Sequence, residues 1–358
     1  MRVVQILPEL NEGGVERGVV ELNREFVKNG IENFVITKGG KLAGIIEKDG
    51  GKLILHDVCS KNIFTAPVRI LKLRKILKEI KPDIVHIRSR VPAWMVHFAK
   101  SKYKIVSTVH GINSVNFYSK IMVKADAIIC GSTYTKEHII KYYNADIDKI
   151  HIVPRGIDLV KFNPSNLDEK FINDFMGKFY LKKNDFIIAG VGRITHTKDY
   201  KTQIRALSLI KDAKLLIVGG VRVDRDDYFK ELKALVNELK LEDRVIFTGS
   251  QKNVAEIYAL CDVMVSSSSK PESFGRSMAE AIALNTPVVA TNHGGAKDIV
   301  IENENGYFFE VGDWKNLANR ILKAKNLKFD GFDYISKNFS LKQMVEKNIK
   351  IYKELVNE

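Results

Sequence analysis

The chain has 358 residues, 45% of them hydrophobic and 28% charged, with a formal net charge of +14. That length holds two domains with sizeable cores, and the composition is that of a soluble globular protein, which excludes a fibrous or disordered chain. No stretch reaches the ~20 apolar residues of a bilayer-crossing helix. Cys59, Cys130 and Cys261 are too scattered for a disulfide frame or a metal site. The apolar run at the start is too short for a secretory signal. The expectation is a cytoplasmic protein, or one peripheral on the cytoplasmic face of the inner membrane.

The charge is uneven. Residues 1–165 hold 27 Lys+Arg against 16 Asp+Glu, and the remainder 30 against 27. A basic half calls for an anionic partner. Nothing resembles a nucleic-acid module, and no aromatic-rich basic strand offers stacking platforms, so nucleic acid is not expected. An anionic membrane surface or an anionic lipid-linked acceptor fits better.

Taken in order, apolar runs predict strands at 3–7, 34–37, 53–56, 84–87, 105–110, 127–130 and 151–153, with helical patterns between most of them. After the first strand, Gly13-Gly14 leads into a helix reaching about residue 29. Two glycines at such a turn let backbone amides approach a phosphate or sugar. The turn lacks the GxGxxG spacing of a dinucleotide site. The segment 67–81, PVRILKLRKILKEIK, reads as a basic amphipathic helix. Its apolar stripe is expected to pack on the sheet, leaving Arg69, Lys72, Arg74, Lys75 and Lys78 as an electrostatic footprint. His110 ends the fifth strand, where α/β ligands bind. His86 and Arg88 end the strand before it, and Asn113, Asn116 and Tyr118 follow it; all five are candidates for acceptor contact. Residues 159–184 lack strong periodicity before Phe171 and read as the hinge.

A second strand series follows at 187–193, 215–219, 245–248, 263–265, 287–290 and 306–310. Gly192 tightens the turn after its first strand. Arg193 and Lys198 then place two cations at a strand end, suited to a diphosphate. Asp224-Arg225-Asp226 matches a metal-holding Asp-x-Asp, but it lies in a charged loop where acidic triplets are common, so no metal is expected. The stretch 263–300 carries Glu272-Ser273-Phe274-Gly275-Arg276-Ser277-Met278-Ala279-Glu280 and then Gly294-Gly295. Glu272 lies in a loop and Glu280 inside a helix, a little over two turns on, so both can face one crevice.

These motifs resemble those of the family 4 retaining glycosyltransferases, in the form found in bacterial enzymes that build lipopolysaccharide, capsule and related glycans. The resemblance spans the chain and is densest from 186 to 300. It implies an α/β fold of the GT-B class, two facing Rossmann-like doubly wound parallel-sheet domains with a cleft between them. The domains would be 1–160 on the acceptor side and 185–340 for the nucleotide-sugar, with a linker at 161–184 and a last helix, 341–357, packing back on the first. It implies a nucleotide-sugar donor, with UDP-sugar the expected kind, a glycan or lipid-linked acceptor, and no cofactor. Among the residues, Arg193 and Lys198 would meet the leaving diphosphate, Glu272 the donor sugar, Glu280 the ribose and His110 the C6 side of the sugar. Gly14, Gly192, Ser273, Phe274 and Gly275 would line the donor. Val153-Pro154-Arg155-Gly156-Ile157-Asp158 is similar to the family's turn before the linker, with Arg155 in place of the usual asparagine. Two other classes would share the phosphate grips: a sugar-nucleotide epimerase and a non-catalytic sugar-nucleotide-binding protein.

Overall fold

The computed structural model describes residues 1–11, 13–221 and 226–357. Contacts divide the chain into two compact units, Met1–Gly156 with Leu341–Glu358, and Ile157–Ser340. Each is built on one parallel sheet. In the first, β1 (Arg2–Ile6), β2 (Glu32–Thr37), β3 (Lys52–Leu55), β4 (Ile84–Ile87), β5 (Lys104–Val109), β6 (Ala127–Cys130) and β7 (Ile150–Ile152) take the order β3-β2-β1-β4-β5-β6-β7. In the second, β8 (Phe186–Val191), β9 (Ala213–Val218), β10 (Val245–Gly249), β11 (Val263–Ser266), β12 (Val288–Thr291) and β13 (Gly306–Phe309) take the order β10-β9-β8-β11-β12-β13. Strand runs such as IVHI and VMVS are buried along their whole length. Helices cover both faces of a parallel sheet, so such strands need no polar face.

Alternate residues feed opposite layers. Val4 and Ile6 pack with the helices Ala66–Ile80 and Arg90–Ala99, whereas Val3 packs with Leu22 and Phe26 of the helix Gly14–Lys28. The helix Leu341–Asn357 joins that second layer through Leu341, Met344, Val345, Ile351, Tyr352 and Leu355, so the chain's last helix belongs to the first unit. Its Tyr352 hydroxyl lies 2.5 Å from His86 Nδ1, and His86 Nε2 lies 2.6 Å from Thr108 Oγ1. Beside them Arg88 donates to Gln5 Oε1 (2.6 Å), Gln5 to Asn33 Oδ1 (3.3 Å) and Asn33 to Asn23 Oδ1 (2.7 Å). His86 and Arg88 are therefore buried core groups held by side chains, a correction to their reading as acceptor contacts. Asn116 caps the short helix Phe117–Lys120 by accepting from Ser119 N.

Residues 161–184, read as the linker, include the helix Glu169–Lys178, capped by Asp168. Phe175 and Leu181 pack with Ile187, Ala189 and Leu216, so this stretch is packed structure of the second unit. The helix Ala66–Ile80 departs from its expected packing. Leu73 and Leu77 are buried and Ile70, Ile76 and Ile80 partly so, but Val68 and Leu71 are about two-thirds exposed, and Ile63 and Phe64 in the preceding loop are more exposed still. Arg69 is buried and donates to Asn62 O and Thr65 Oγ1, which removes it from the expected footprint; Lys72, Arg74, Lys75 and Lys78 are exposed.

Removing the Tyr352 hydroxyl tests whether the last helix is clamped by its polar contact. Tyr352→Phe strands a buried ring nitrogen of His86, and should lower the stability of the first unit by about 1–3 kcal/mol. Urea unfolding followed by Trp94 fluorescence in a Trp314→Phe background reads this unit alone.

Candidate active site

In a doubly wound sheet, ligands bind beyond the carboxyl ends of the strands where the strand order reverses. In the second unit that point lies between β8 and β11. The loop after β8 carries Gly192, Arg193 and Lys198, and the loop after β11 carries Glu272 to Gly275. The two loops are laced together. Ser269 N donates to Thr197 O (2.8 Å), Ser267 Oγ to Lys198 O (2.8 Å), and Gln203 Nε2 to Ser267 Oγ (2.8 Å). Gly192 has φ +148°, which favours glycine, and its carbonyl accepts from Tyr200 Oη (2.7 Å).

This lacing brings together Lys198 and Glu272, which lie 74 positions apart and form a salt bridge. Glu272 Oε1 also accepts from Ser268 Oγ (2.6 Å), while Oε2 has no hydrogen bond among the described residues. Burial raises the Glu272 carboxyl pKa, but the Lys198 ammonium and the Ser268 hydroxyl outweigh it and hold the group below its ordinary value. Arg193 is exposed and has no salt bridge or side-chain hydrogen bond among the described residues. The site thus holds an ionised carboxylate, one paired cation and one cation turned to solvent.

Gly294-Gly295 props this loop from behind. A Cβ on Gly294, whose φ is +65°, would stand 2.7 Å from Glu272 O, and Gly295 N donates to that carbonyl (2.8 Å). Beside them His293 Nε2 donates to Ser268 O (2.9 Å); motif reading passed over this residue, which precedes the glycine pair. Gly275, at φ +98°, is the N-cap of the helix Arg276–Ala283. Glu280 lies on that helix, where Arg276 Nε donates to its Oε1 (2.8 Å) and Tyr258 Oη approaches its Oε2 (3.5 Å). Phe274 is a correction among the donor-lining residues. Its side chain is buried against Phe339, leaving only its backbone for a ligand.

In the first unit, His110 and Gly14 also lie at strand ends, after β5 and β1. Arg155, after β7, links them: its Nη2 is 3.0 Å from His110 Nδ1, and its Nη1 donates to Gly14 O. Burial, then Arg155 and Arg88, hold the His110 pKa well below the ordinary imidazole value. Spacing could not have found the part played by Arg155, because its partners lie 45 and 141 positions away. Asp224 and Arg225 of the Asp-x-Asp match lie outside the described residues. Among the described residues no three His, Cys, Asp or Glu side chains are grouped to hold a metal.

Two Rossmann-like units with site loops at the switch point define the GT-B class of sugar-transferring enzymes, and comparison with known proteins agrees. Residues 12–161 match the family described as Glycosyltransferase Family 4, and residues 172–339 that described as Glycosyl transferases group 1. A crystal structure of a glycosyltransferase from Rickettsia africae superposes with a TM-score of 0.90 at 30% identity, covering 99% of this chain and 98% of that one. The N-acetyl-alpha-D-glucosaminyl L-malate synthase of Bacillus anthracis is 28% identical over 86% of this chain and 83% of its own. An Escherichia coli UDP-Gal:alpha-D-GlcNAc-diphosphoundecaprenol alpha-1,3-galactosyltransferase is 24% identical over 90% of this chain and 89% of its own. The chain belongs to the family 4 glycosyltransferases of GT-B fold.

The pair at the centre of the site can be tested without a substrate. Lys198→Met leaves a desolvated carboxylate and should destabilise the second unit by about 1–3 kcal/mol at pH 7. Lys198→Met with Glu272→Gln should recover most of that loss. A carboxyl whose folded pKa is lowered contributes stability that is full above its ordinary value of 4.5 and is lost as pH falls through the folded value, so the effect of Lys198→Met should shrink as pH falls below 4.5. Urea unfolding followed by Trp314 in a Trp94→Phe background measures it. Additive single losses would show that the two residues do not couple.

Proposed function

We propose that this glycosyltransferase is retaining, and moves a sugar from a UDP-sugar to a glycan or lipid-linked acceptor in cell-surface polysaccharide biosynthesis. The observation that carries this reading is the Lys198–Glu272 pair at the β8/β11 switch point, with Arg193 beside it on the same loop. Lys198 has three donors, of which Glu272 takes one, so it can meet a phosphate oxygen without leaving the carboxylate. Arg193 and Lys198 neutralise the charge that gathers on the diphosphate as the C1–oxygen bond breaks, and do so most strongly in the transition state. Glu272, ionised and open at Oε2, accepts from a sugar hydroxyl. Glu280 accepts from the ribose, and the backbone from Ser273 to Gly275 approaches the donor phosphate. His110 donates to a hydroxyl on the C6 side of the sugar.

The acceptor hydroxyl attacks C1 on the face the diphosphate leaves. The acceptor oxygen bonds to C1, the C1–oxygen pair departs with the nucleoside diphosphate, and a phosphate oxygen takes the acceptor proton. The products are the α- or β-glycoside matching the donor and the free nucleoside diphosphate. In this reading the residues supply the positive charge and no divalent metal is needed. The names of the relatives from Bacillus anthracis and Escherichia coli support a sugar-transfer reading, and the latter supports UDP as carrier and a lipid diphosphate as acceptor.

Radiolabelled sugar nucleotides incubated with the protein and a membrane extract decide the class. Label on lipid or glycan is the expected result; an isomerised donor would identify an epimerase, and binding without turnover a sugar-nucleotide-binding protein. Lys198→Ala should lower kcat/KM roughly 10²-fold, and excess EDTA should leave the rate unchanged. Loss of activity in EDTA, restored by magnesium or manganese, would overturn metal independence.

The partner surface proposed for the first unit is an anionic membrane. No helix among the described residues is long and apolar enough to cross a membrane. Ile63, Phe64, Val68 and Leu71 are exposed in the loop and first turns of the helix Ala66–Ile80, and Lys72, Lys75 and Lys78 are exposed further along it, so apolar and cationic side chains share one exposed segment. Each lysine near an anionic surface contributes about 1 kcal/mol, an effect that fades as salt shortens the Debye length. Changing Lys72, Lys75 and Lys78 together to glutamate should abolish sedimentation with anionic vesicles while sparing activity on a soluble acceptor. Equal binding to neutral vesicles, or none at low salt, would refute the membrane role.

A further inference from the structure

Arg155 stands where the family's turn usually has asparagine, and the change has a chemical consequence at His110. A guanidinium carries only donors. With Nη2 of Arg155 3.0 Å away, His110 Nδ1 has to be the acceptor. In a neutral imidazole the proton then sits on Nε2. That Nε2 is buried and has no hydrogen-bond partner among the described residues. An asparagine could turn either its oxygen or its amide nitrogen to the ring and so would support either tautomer. A lysine could donate, but it lacks the planar fork that reaches His110 and the Gly14 carbonyl together.

We propose that Arg155 is a positioning residue for sugar transfer: it locks His110 as the Nε2–H tautomer, a fixed donor to an oxygen of the transferred sugar, and holds the Gly14 turn in register with it. The inference rests on the reading of His110 as a donor-sugar contact. Three loops, after β1, β5 and β7, meet at one guanidinium, so a single side chain sets both their spacing and the direction of the proton. A Cβ on Gly14 or Gly18 would lie 3.4 or 3.6 Å from Arg155 Nη1, so the guanidinium lies over the glycine face of the first helix. Among the described residues, the charged and titratable groups that act on the ring are Arg155, Arg88 and His86, of which His86 is tied to Tyr352 and Thr108. Protonating His110 would set an Nδ1–H against the guanidinium N–H groups and add a third positive charge beside Arg155 and Arg88. The ring therefore stays neutral and its Nε2 stays a donor across the working pH range.

The test uses the full-length protein labelled with 15N-histidine, with the His110 signals assigned by their loss in His110→Gln. Long-range 1H–15N correlation should show wild-type His110 as the Nε2–H form, without titration, from pH 6 to 8. Arg155→Met should release it, giving mixed tautomers and a titration within that range. In the same variant kcat/KM should fall about 10- to 100-fold, the loss should be larger at pH 8, where the neutral ring populates the Nδ1–H tautomer, than at pH 6, where a protonated ring keeps Nε2–H, and kcat should fall more than KM rises. Arg155→Lys, which restores one donor, should recover part of the activity and most of the tautomer. Arg155→Asn should give mixed tautomers. An Nδ1–H signal in the wild type, or an Arg155→Met protein that keeps both the Nε2–H signal and the wild-type pH profile, would overturn the proposal. A well-dispersed spectrum for Arg155→Lys guards against loss of folding as the cause. If the wild type transferred no sugar at all, the functional reading would fall, while the tautomer spectra would still decide whether Arg155 governs His110.

Discussion

Every strand in both sheets runs parallel, and the rest of the structure depends on that constraint. A parallel pair cannot be joined by a tight hairpin, so each connection must cross back over a face, and the loops leaving the strands collect along one edge of the sheet. Where the strand order reverses, two neighbouring crossovers lie on opposite faces and their loops part. In the second unit this is the place from which Lys198 and Glu272 emerge. Their meeting is a product of topology first and of attraction second, since Ser267, Ser269 and Gln203 tie the two loops by backbone and hydroxyl contacts before any charge is counted.

The charges are arranged so that a desolvated site stays electrically tolerable. An unpaired carboxylate at the position of Glu272 would cost several kcal/mol in desolvation. Lys198 offsets that cost while keeping two ammonium hydrogens for another anion. Glu280 is handled in the same way by Arg276, four residues earlier on its own helix, a pairing worth little on a surface but more where both side chains are less than one-fifth exposed. The paired-glutamate motif is therefore also a paired-cation motif, each acid in a salt bridge with a base on an element of its own unit.

The strands were legible because parallel strands buried on both faces read as uninterrupted apolar runs: 84–87 and 127–130 are bounded to the residue by their own composition. The loops that hold the chemistry were legible because glycine, proline and a change of period mark them. Spacing reports which residues share a helix face and is silent on what covers that face. Hence Val68 and Leu71 look like core positions but lie beyond the sheet's cover, and Arg69, read as surface, is drawn inward by carbonyls of the loop before its helix. Phe274 sits inside a motif whose neighbours face a ligand, yet a strand-to-helix turn with Gly275 in the left-handed region rotates its ring into the core beside Phe339.

Arg155 shows a different limit. As a sequence it is a departure from a familiar turn, and a departure reads as a loss of function. Its contacts belong to residues that adjoin it only once the sheet has formed, with β5 separated from β7 by β6 and β1 separated from β5 by β4. A long, planar, always-charged side chain is the one type that reaches across that width and still presents two donors at a fixed angle. Asparagine, shorter by several bonds, could serve only its nearest neighbour. The substitution therefore moves the turn after β7 from a local structural part to one that acts across the sheet edge, and it does so at the strand ends where the sheet leaves its loops free to meet a ligand.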